Sequence, residues 1–274
     1  MEKLSPVLKY PGSKWSMTDW IISNFPDGYE NMTYLEPYFG SGAVFFRKNR
    51  SQIETINDIS DQVVNLFMII RNRPEELAAA IEMTPWSRTE YRQSYEQTGE
   101  PLEDARRFLV RMWQAIGAKT SDITGWRNNI KGNNGNLTQF VNRLPSDIIE
   151  SSKRLKHYKG CLVQIENQDA IKLIKRHNRS NVLIYADPPY VLSTRAKRIY
   201  KNEYTNSDHE QLLEVVKEHS GPVVLSGYDN ELYNFHLPGW YKKSLQVKAE
   251  GGRDAIETMW CNYNPDKRQM SLII

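Results

Sequence analysis

A carboxylate, two prolines and a phenol follow one another at Asp187-Pro188-Pro189-Tyr190, directly after the apolar run NVLIYA. Such a run with an abrupt stop reads as a buried parallel strand, and open α/β sheets bind ligands at the carboxyl ends of their strands. The residue types suit one demanding reaction. An exocyclic aromatic amine is a poor nucleophile because its lone pair is delocalised into the ring, so acceptors must be held against its N–H groups while a methyl donor waits in line. The Asp187 carboxylate and a carbonyl fixed by the rigid Pro188-Pro189 pair supply such acceptors. Tyr190 supplies a face on which a base turned out of a duplex stacks. The plainer alternative is a strand terminator and a packed tyrosine.

A second group of residues reads as a ligand cradle. Leu35-Glu36-Pro37-Tyr38-Phe39-Gly40-Ser41-Gly42 runs from a short strand into a glycine turn that opens the helical stretch AVFFRKN. Gly40 and Gly42 let the backbone approach a ligand closely, although the third glycine of the dinucleotide fingerprint is missing and such a turn also serves packing alone. Asp58 ends the next predicted strand, 16 residues past Gly42, where a carboxylate meets ribose hydroxyls; a helix cap or a solvated loop acid is the alternative. Near the N-terminus, Lys9-Tyr10-Pro11-Gly12-Ser13-Lys14-Trp15 gathers cationic and aromatic side chains around a turn. Lys14 is suited to the methionine carboxylate of a methyl donor, with Tyr10 or Trp15 as its cover. A solvated terminal loop is the bland reading.

These residues need a scaffold, and the rest of the sequence outlines one. Strand and helix alternate early, in MTYLEPY, AVFFRKN and ETINDIS, and again late, in CLVQIE, DAIKLIKRH, NVLIYADPPY, HEQLLEVVKEH and PVVLSGY. That alternation favours parallel strands with crossover helices. YKKSLQVKA and ETMWCNY, joined across Gly251 and Gly252, read as an antiparallel hairpin closing the sheet. From Arg71 to about Gly160 the pattern changes to polar helices such as EDARRFLVRMWQAI, broken by the Gly/Asn-rich loop GWRNNIKGNNGN. The expected fold is α/β: one sheet built from residues 1–70 and 158–274, with a helical domain inserted over 71–157.

A chain of 274 residues can bury such a core, and 39% hydrophobic with 25% charged residues is ordinary for a globular protein. The formal net charge of +3 says little alone, but between Trp86 and Gly160 there are 13 Lys or Arg against 8 Asp or Glu, so the basic excess sits in the middle. Two cysteines, Cys161 and Cys261, and scattered histidines suggest neither a disulfide framework nor a metal site. No apolar run approaches the roughly 18 residues that span a bilayer, and the N-terminus lacks a signal-peptide core. A cytoplasmic location, away from membranes, is expected.

Taken together, the motifs and their order resemble the Dam-like DNA adenine methyltransferases of the D12 class, phage-type members in particular. KYPGSKW is similar to that family's N-terminal donor-binding motif, LEPYFGSGAVFF to its glycine motif, TINDIS to its ribose-binding acid and YADPPY to its catalytic motif. The resemblance implies a Rossmann-like methyltransferase sheet, S-adenosylmethionine as donor without a metal, and methyl transfer to N6 of a flipped adenine in double-stranded DNA. It places Asp187, Pro188, Pro189 and Tyr190 at the reacting amine, and Tyr10, Lys14, Glu36, Phe39, Gly40, Ser41, Gly42 and Asp58 around the donor. Asp169, in VQIENQDA, is assigned to the donor's adenine, with a helix cap as a competing or concurrent role. SGYDNELY and ETMWCNY resemble later structural strands of the class.

The insert takes the family's target-recognition position. TGWRNNIKGNNGN is similar to a basic, Asn-rich loop laid against DNA, so Arg127, Asn128, Asn129 and Lys131 are expected at base edges and phosphates. The residues around that loop depart from the pattern of GATC-specific members. Ser193 to Lys201 carries four cations and no acid, and Arg195, Lys197 and Arg198 are expected to grip phosphates beside the flipped base.

Other readings stay open on the residues alone. N4 of cytosine suits the same acceptors. Protein glutamine methylation uses a similar Pro-Pro motif but requires no basic insert. A DNA-binding module retaining a donor site without turnover is a third, against which the intact stretch from Asp187 to Tyr190 argues. A restriction endonuclease as partner is compatible with the resemblance, and the sequence does not specify one.

Overall fold

The computed structural model describes residues 4–117, 119–128, 135–194, 199–248 and 254–267. The chain runs through α1 (Thr18–Ile22), β1 (Thr33–Glu36), α2 (Ala43–Arg47), β2 (Ile53–Asn57) and α3 (Asp61–Asn72). The helices α4 (Pro74–Glu82), α5 (Arg88–Gln93), α6 (Pro101–Gln114), α7 (Gly135–Asn142) and α8 (Leu144–Leu155) follow. It returns through β3 (Leu162–Glu166), α9 (Ala170–Arg176), β4 (Val182–Ala186), α10 (Asn206–Lys217) and β5 (Val223–Tyr228). It closes with α11 (Glu231–His236), β6 (Tyr241–Lys248) and β7 (Asp254–Cys261).

One sheet of 7 strands has the order β3-β2-β1-β4-β5-β7-β6. β1 to β5 run parallel, as the alternating pattern predicts. β6 and β7 form the predicted antiparallel hairpin, and its second strand, β7, meets β5. Only the first part of SGYDNELY is strand: Asn230 accepts from the Tyr233 amide at 2.9 Å and starts α11.

β4 is buried at every position because both faces of the sheet are covered. Its side chains divide by the two-residue period. Leu183 and Tyr185 join Phe45, Phe67 and Phe108 on one face; Ile184 and Ala186 join Leu212, Val216 and Trp260 on the other. The first core continues into Leu77 of α4 and Leu155 of α8. α3 crosses residues 70 and 71, so the expected boundary between sheet and insert falls within one helix, whose Leu66, Phe67 and Ile70 are buried.

An ionic knot ties α8 to β2. Glu54, fully buried, accepts from Lys48 Nζ at 2.5 Å and from the two terminal nitrogens of Arg154 at 2.5 and 2.7 Å. The Arg154 guanidinium lies 3.8 Å from the Phe45 ring centroid. No helix among the described residues is long and apolar enough to cross a membrane.

Candidate active site

β1 and β4 are neighbours, but the chain leaves β1 toward β2 on one side and β4 toward β5 on the other. A crevice opens at the carboxyl ends of strands where the order reverses in this way. There the structure has a cavity of about 430 Å³. Glu36 ends β1, and Asp187 follows β4 directly, since Pro188 and Pro189 cannot donate to a ladder. Both acids line the cavity.

Lys14 reaches this point from the N-terminal loop. Its Nζ is 2.8 Å from Asp187 Oδ2 and donates to the Gly12 carbonyl at 2.7 Å. Asp187 Oδ1 is buried and has no hydrogen-bond partner among the described residues. The carboxylate therefore keeps unused acceptor capacity, on a residue that lines the cavity.

Asp58 binds the glycine turn to the end of β2: Oδ2 accepts from the Gly40 amide at 2.8 Å and Oδ1 from the Ser60 amide at 2.9 Å. The Ser13 and Ser41 hydroxyls, 2.9 Å apart, join the N-terminal loop to the same turn. The two glycines do different work. At Gly40 (φ 49°) a Cβ would stand 3.1 Å from the Tyr10 ring, so the glycine lets Tyr10 close on the turn. At Gly42 (φ 67°) a Cβ would meet Phe39 Cζ at 2.3 Å, so that glycine seats Phe39.

Of the residues expected at the donor, Tyr10, Lys14, Glu36, Phe39, Gly40, Ser41, Asp58 and Asp169 line this one cavity, and Gly42 does not, packing instead against Phe39 and Phe46. Of the two aromatics considered as cover, Tyr10 is in the wall, whereas Trp15 stacks on Phe46 with ring centroids 6.3 Å apart. Asp169 caps α9, accepting from the Lys172 amide at 2.8 Å, and lines the cavity as well.

Asp187 and Pro189 are in the wall, while Pro188 and Tyr190 are buried outside it. The Tyr190 hydroxyl donates to Glu257 Oε2 at 2.5 Å, its ring meets Tyr228 edge to face at 4.6 Å, and the Lys14 ammonium sits 4.7 Å from its centroid. Arg127 is half-buried and donates to the carbonyl of Ala115, at the end of α6, at 3.1 Å; Asn128 is exposed. Asn129, Lys131, Arg195, Lys197 and Arg198 lie outside the described residues.

Sequence reasoning passed over several members of the site. The Tyr38 and Tyr204 hydroxyls pair at 2.9 Å in the wall. Tyr200 donates to the Pro11 carbonyl at 3.0 Å and occupies the space beside Gly12, where a Cβ would come within 2.4 Å of its hydroxyl. Glu257, under Tyr190, opens ETMWCNY, a stretch that the sequence marks only as a structural strand.

Burial raises three of the acids. It pushes Glu36 up to about 8 against the pull of the Tyr34 hydroxyl, 2.6 Å away, and of Lys48. It holds Asp187 above the usual carboxylate range although Lys14 and the Tyr190 hydroxyl lower it. It brings Asp58 to about 6, with the Ser60 and Gly40 amides acting the other way. A raised carboxyl binds its proton more tightly folded than unfolded, so ionised Asp58 works against stability as pH rises from the ordinary value toward 6. A residue kept at such a cost is a candidate for binding. If the ionised form takes the donor's ribose, donor affinity falls as pH drops through about 6, approaching ~10-fold per further unit. Calorimetry across pH 5 to 8 checks this, and affinity flat through that range returns Asp58 to bracing the glycine turn.

Five parallel strands with an antiparallel strand threaded between β5 and the edge, and an acceptor-lined cavity at the reversal of strand order, define a Rossmann-like methyltransferase. Residues 10–248 match the D12 class of N6 adenine-specific DNA methyltransferases, and the chain belongs to that family. A DNA adenine methylase of Haemophilus influenzae is 36% identical over 69 residues, which span 25% of this chain and 23% of that protein. The Type II methyltransferase M1.LlaDCHI of Lactococcus lactis subsp. cremoris is 25% identical over 227 residues, 78% of this chain and 77% of its own. A solved Pyrococcus horikoshii protein, provisionally assigned as an RNA methyltransferase, aligns over 93% of this chain and 83% of its own at TM-score 0.37 and 8% identity. At that similarity it carries no argument.

Proposed function

We propose that this chain methylates N6 of an adenine flipped out of double-stranded DNA, at a specific site, with S-adenosylmethionine as donor. The observation that carries the proposal is Asp187 at the carboxyl end of β4, a wall residue of a nucleoside-sized cavity whose buried Oδ1 has no hydrogen-bond partner among the described residues. The wall also suits the donor. With Glu36, pushed up to about 8, largely protonated at neutral pH, Asp58, Asp169, Asp187 and Glu203 stand against Lys14 and Lys201, an acidic excess matched to a cationic sulfonium and ammonium. When bound, S-adenosylmethionine supplies a methyl on a positively charged sulfur, open to in-line displacement.

Asp58 would take the ribose hydroxyls, Asp169 the purine amine of the donor and Lys14 the methionine carboxylate. Asp187 accepts one N–H of the target amine, and a carbonyl of the Pro188-Pro189 segment the other, so the nitrogen lone pair is aimed at the methyl carbon. The methyl would pass from sulfur to nitrogen, the donor would leave as a neutral thioether, and the proton released by the amine would go to water. Residues 71–157 are assigned to target recognition, with Arg127 bracing the loop on α6 and Asn128 presented outward. Arg195, Lys197 and Arg198 are assigned to flanking phosphates. The protein is placed in the cytoplasm with its DNA.

Labelled donor incubated with the protein and DNA, followed by nucleoside analysis, is expected to yield N6-methyladenine. N4-methylcytosine, label only in protein, or no turnover would each displace this reading. Mapping methylated bases in a methylation-free host then gives the recognised site.

A further inference from the structure

Glu257 comes from β7, far from every motif that pointed to the site, yet its buried carboxylate meets the catalytic segment. It accepts the Tyr190 hydroxyl at 2.5 Å and is paired across the sheet with Tyr228, whose ring packs on Tyr190. Tyr190 in turn lies under the Lys14 ammonium, which sits 2.8 Å from Asp187 Oδ2. One buried lysine is thus set between a buried carboxylate, Glu257, and a partly exposed one, Asp187. Were only an acceptor needed for Tyr190, a glutamine would serve without the desolvation cost of a second charge.

We propose that Glu257 is a positioning residue for methyl transfer: acting through Tyr190 and Lys14, it fixes Asp187 in place and balances the charge that Asp187 would otherwise face alone. The inference rests on the reading of Asp187 as acceptor of the target amine. Lys14 feels both carboxylates, which together hold it above its ordinary value despite burial. Burial raises Glu257, Lys14 and the Tyr190 hydroxyl lower it, and Asp187 raises it further. The groups facing it are Lys14 from the N-terminal loop, Asp187 and Tyr190 after β4, Tyr185 on β4 and Tyr228 at the end of β5. On the other side β6 places the uncharged Leu245 opposite.

Glu257→Gln keeps an acceptor for Tyr190 and removes the charge. Lys14 is then left to Asp187, which ionises at lower pH and accepts more weakly. The expected result is a ~10-fold or greater fall in kcat, by analogy with the loss when outer partners that orient metal ligands are removed, with donor Kd unchanged. At saturating donor the acid limb of kcat should move to lower pH by on the order of one unit. A merely structural role would lower stability and leave that limb in place. Tyr190→Phe cuts the same hydrogen bond from the other end, but it also removes a hydroxyl that lowers Asp187 directly, so it is read in kcat, which should fall, and not in the direction of the limb. The double variant should then lose little more than either single one.

If Glu257→Gln fails to fold, Glu257→Asp decides: the shorter side chain keeps the charge but draws back from Tyr190, so kcat should fall with donor Kd unchanged, and a wild-type kcat overturns the inference. Asp187→Asn run alongside separates the two readings: near-normal turnover there removes the acceptor assignment and this inference with it. An inactive Asp187→Asn beside Glu257 variants with the kcat and acid limb of the wild type overturns the inference only.

Discussion

Asp187→Asn is expected to lose at least ~100-fold in kcat while binding the donor as the wild type does, because preorganised polar groups at a reacting centre are worth that much or more. Asparagine is the informative change. Alanine would strand Lys14, whose side chain is 5% exposed, without its nearest counter-charge, and removing one partner of a buried pair costs about 3–5 kcal/mol of stability. Lost activity would then report unfolding as much as chemistry. Asparagine fills the same space and leaves an oxygen for Lys14, but it replaces one carboxylate oxygen with a donor that faces the N–H groups of the target. Single-turnover methylation at saturating donor measures the loss, and calorimetry measures donor binding. A variant within a few fold of wild type would remove Asp187 from the reaction, and weakened donor affinity alone would make it a binding residue.

What the sequence revealed is what local rules govern. A continuous apolar run cut by two prolines must stop, and stopping places Asp187 at a strand end. The hairpin of β6 and β7 was visible as two strand-like stretches on either side of Gly251 and Gly252, but the pairing of β7 with β5 depends on packing between distant segments. Gly40 and Gly42 carry the same signal in the sequence; only their neighbours, Tyr10 for one and Phe39 for the other, separate a cavity residue from a packing residue. Tyr190 reads as a stacking face, yet its hydroxyl partner Glu257 is 67 residues away, beyond any spacing argument. Arg127 has the chemistry of a base reader, while its observed bond to Ala115 depends on where α6 ends. The change in character at Arg71 was legible as more polar helices, but α3 begins before it and shares its core with the sheet.

Arg154→Ala should destabilise the protein by about 3–5 kcal/mol, a large share of the roughly 5–15 kcal/mol that holds a typical domain together. Glu54 is fully buried and uses both oxygens on Arg154 and one also on Lys48. Losing Arg154 leaves one oxygen without its partner and opens a space over Phe45. The damage should propagate unevenly, because α8 packs on α3 and α4, whereas the donor cavity is walled by the strand ends and the glycine turn. DNA binding, assigned to the helical segment, is expected to weaken more than donor binding. The pH dependence gives an independent check. Burial tends to raise Glu54, but the Arg154 and Lys48 contacts outweigh it and hold the carboxyl below the ordinary carboxylate value. A depressed carboxyl contributes stability above its unfolded pKa and loses it as pH falls through the folded one. Urea unfolding of wild type and variant should therefore differ most at neutral pH and converge in acid. A gap that stays constant from neutral to strongly acid pH would mean that Arg154 acts by packing on Phe45 and not through its charge.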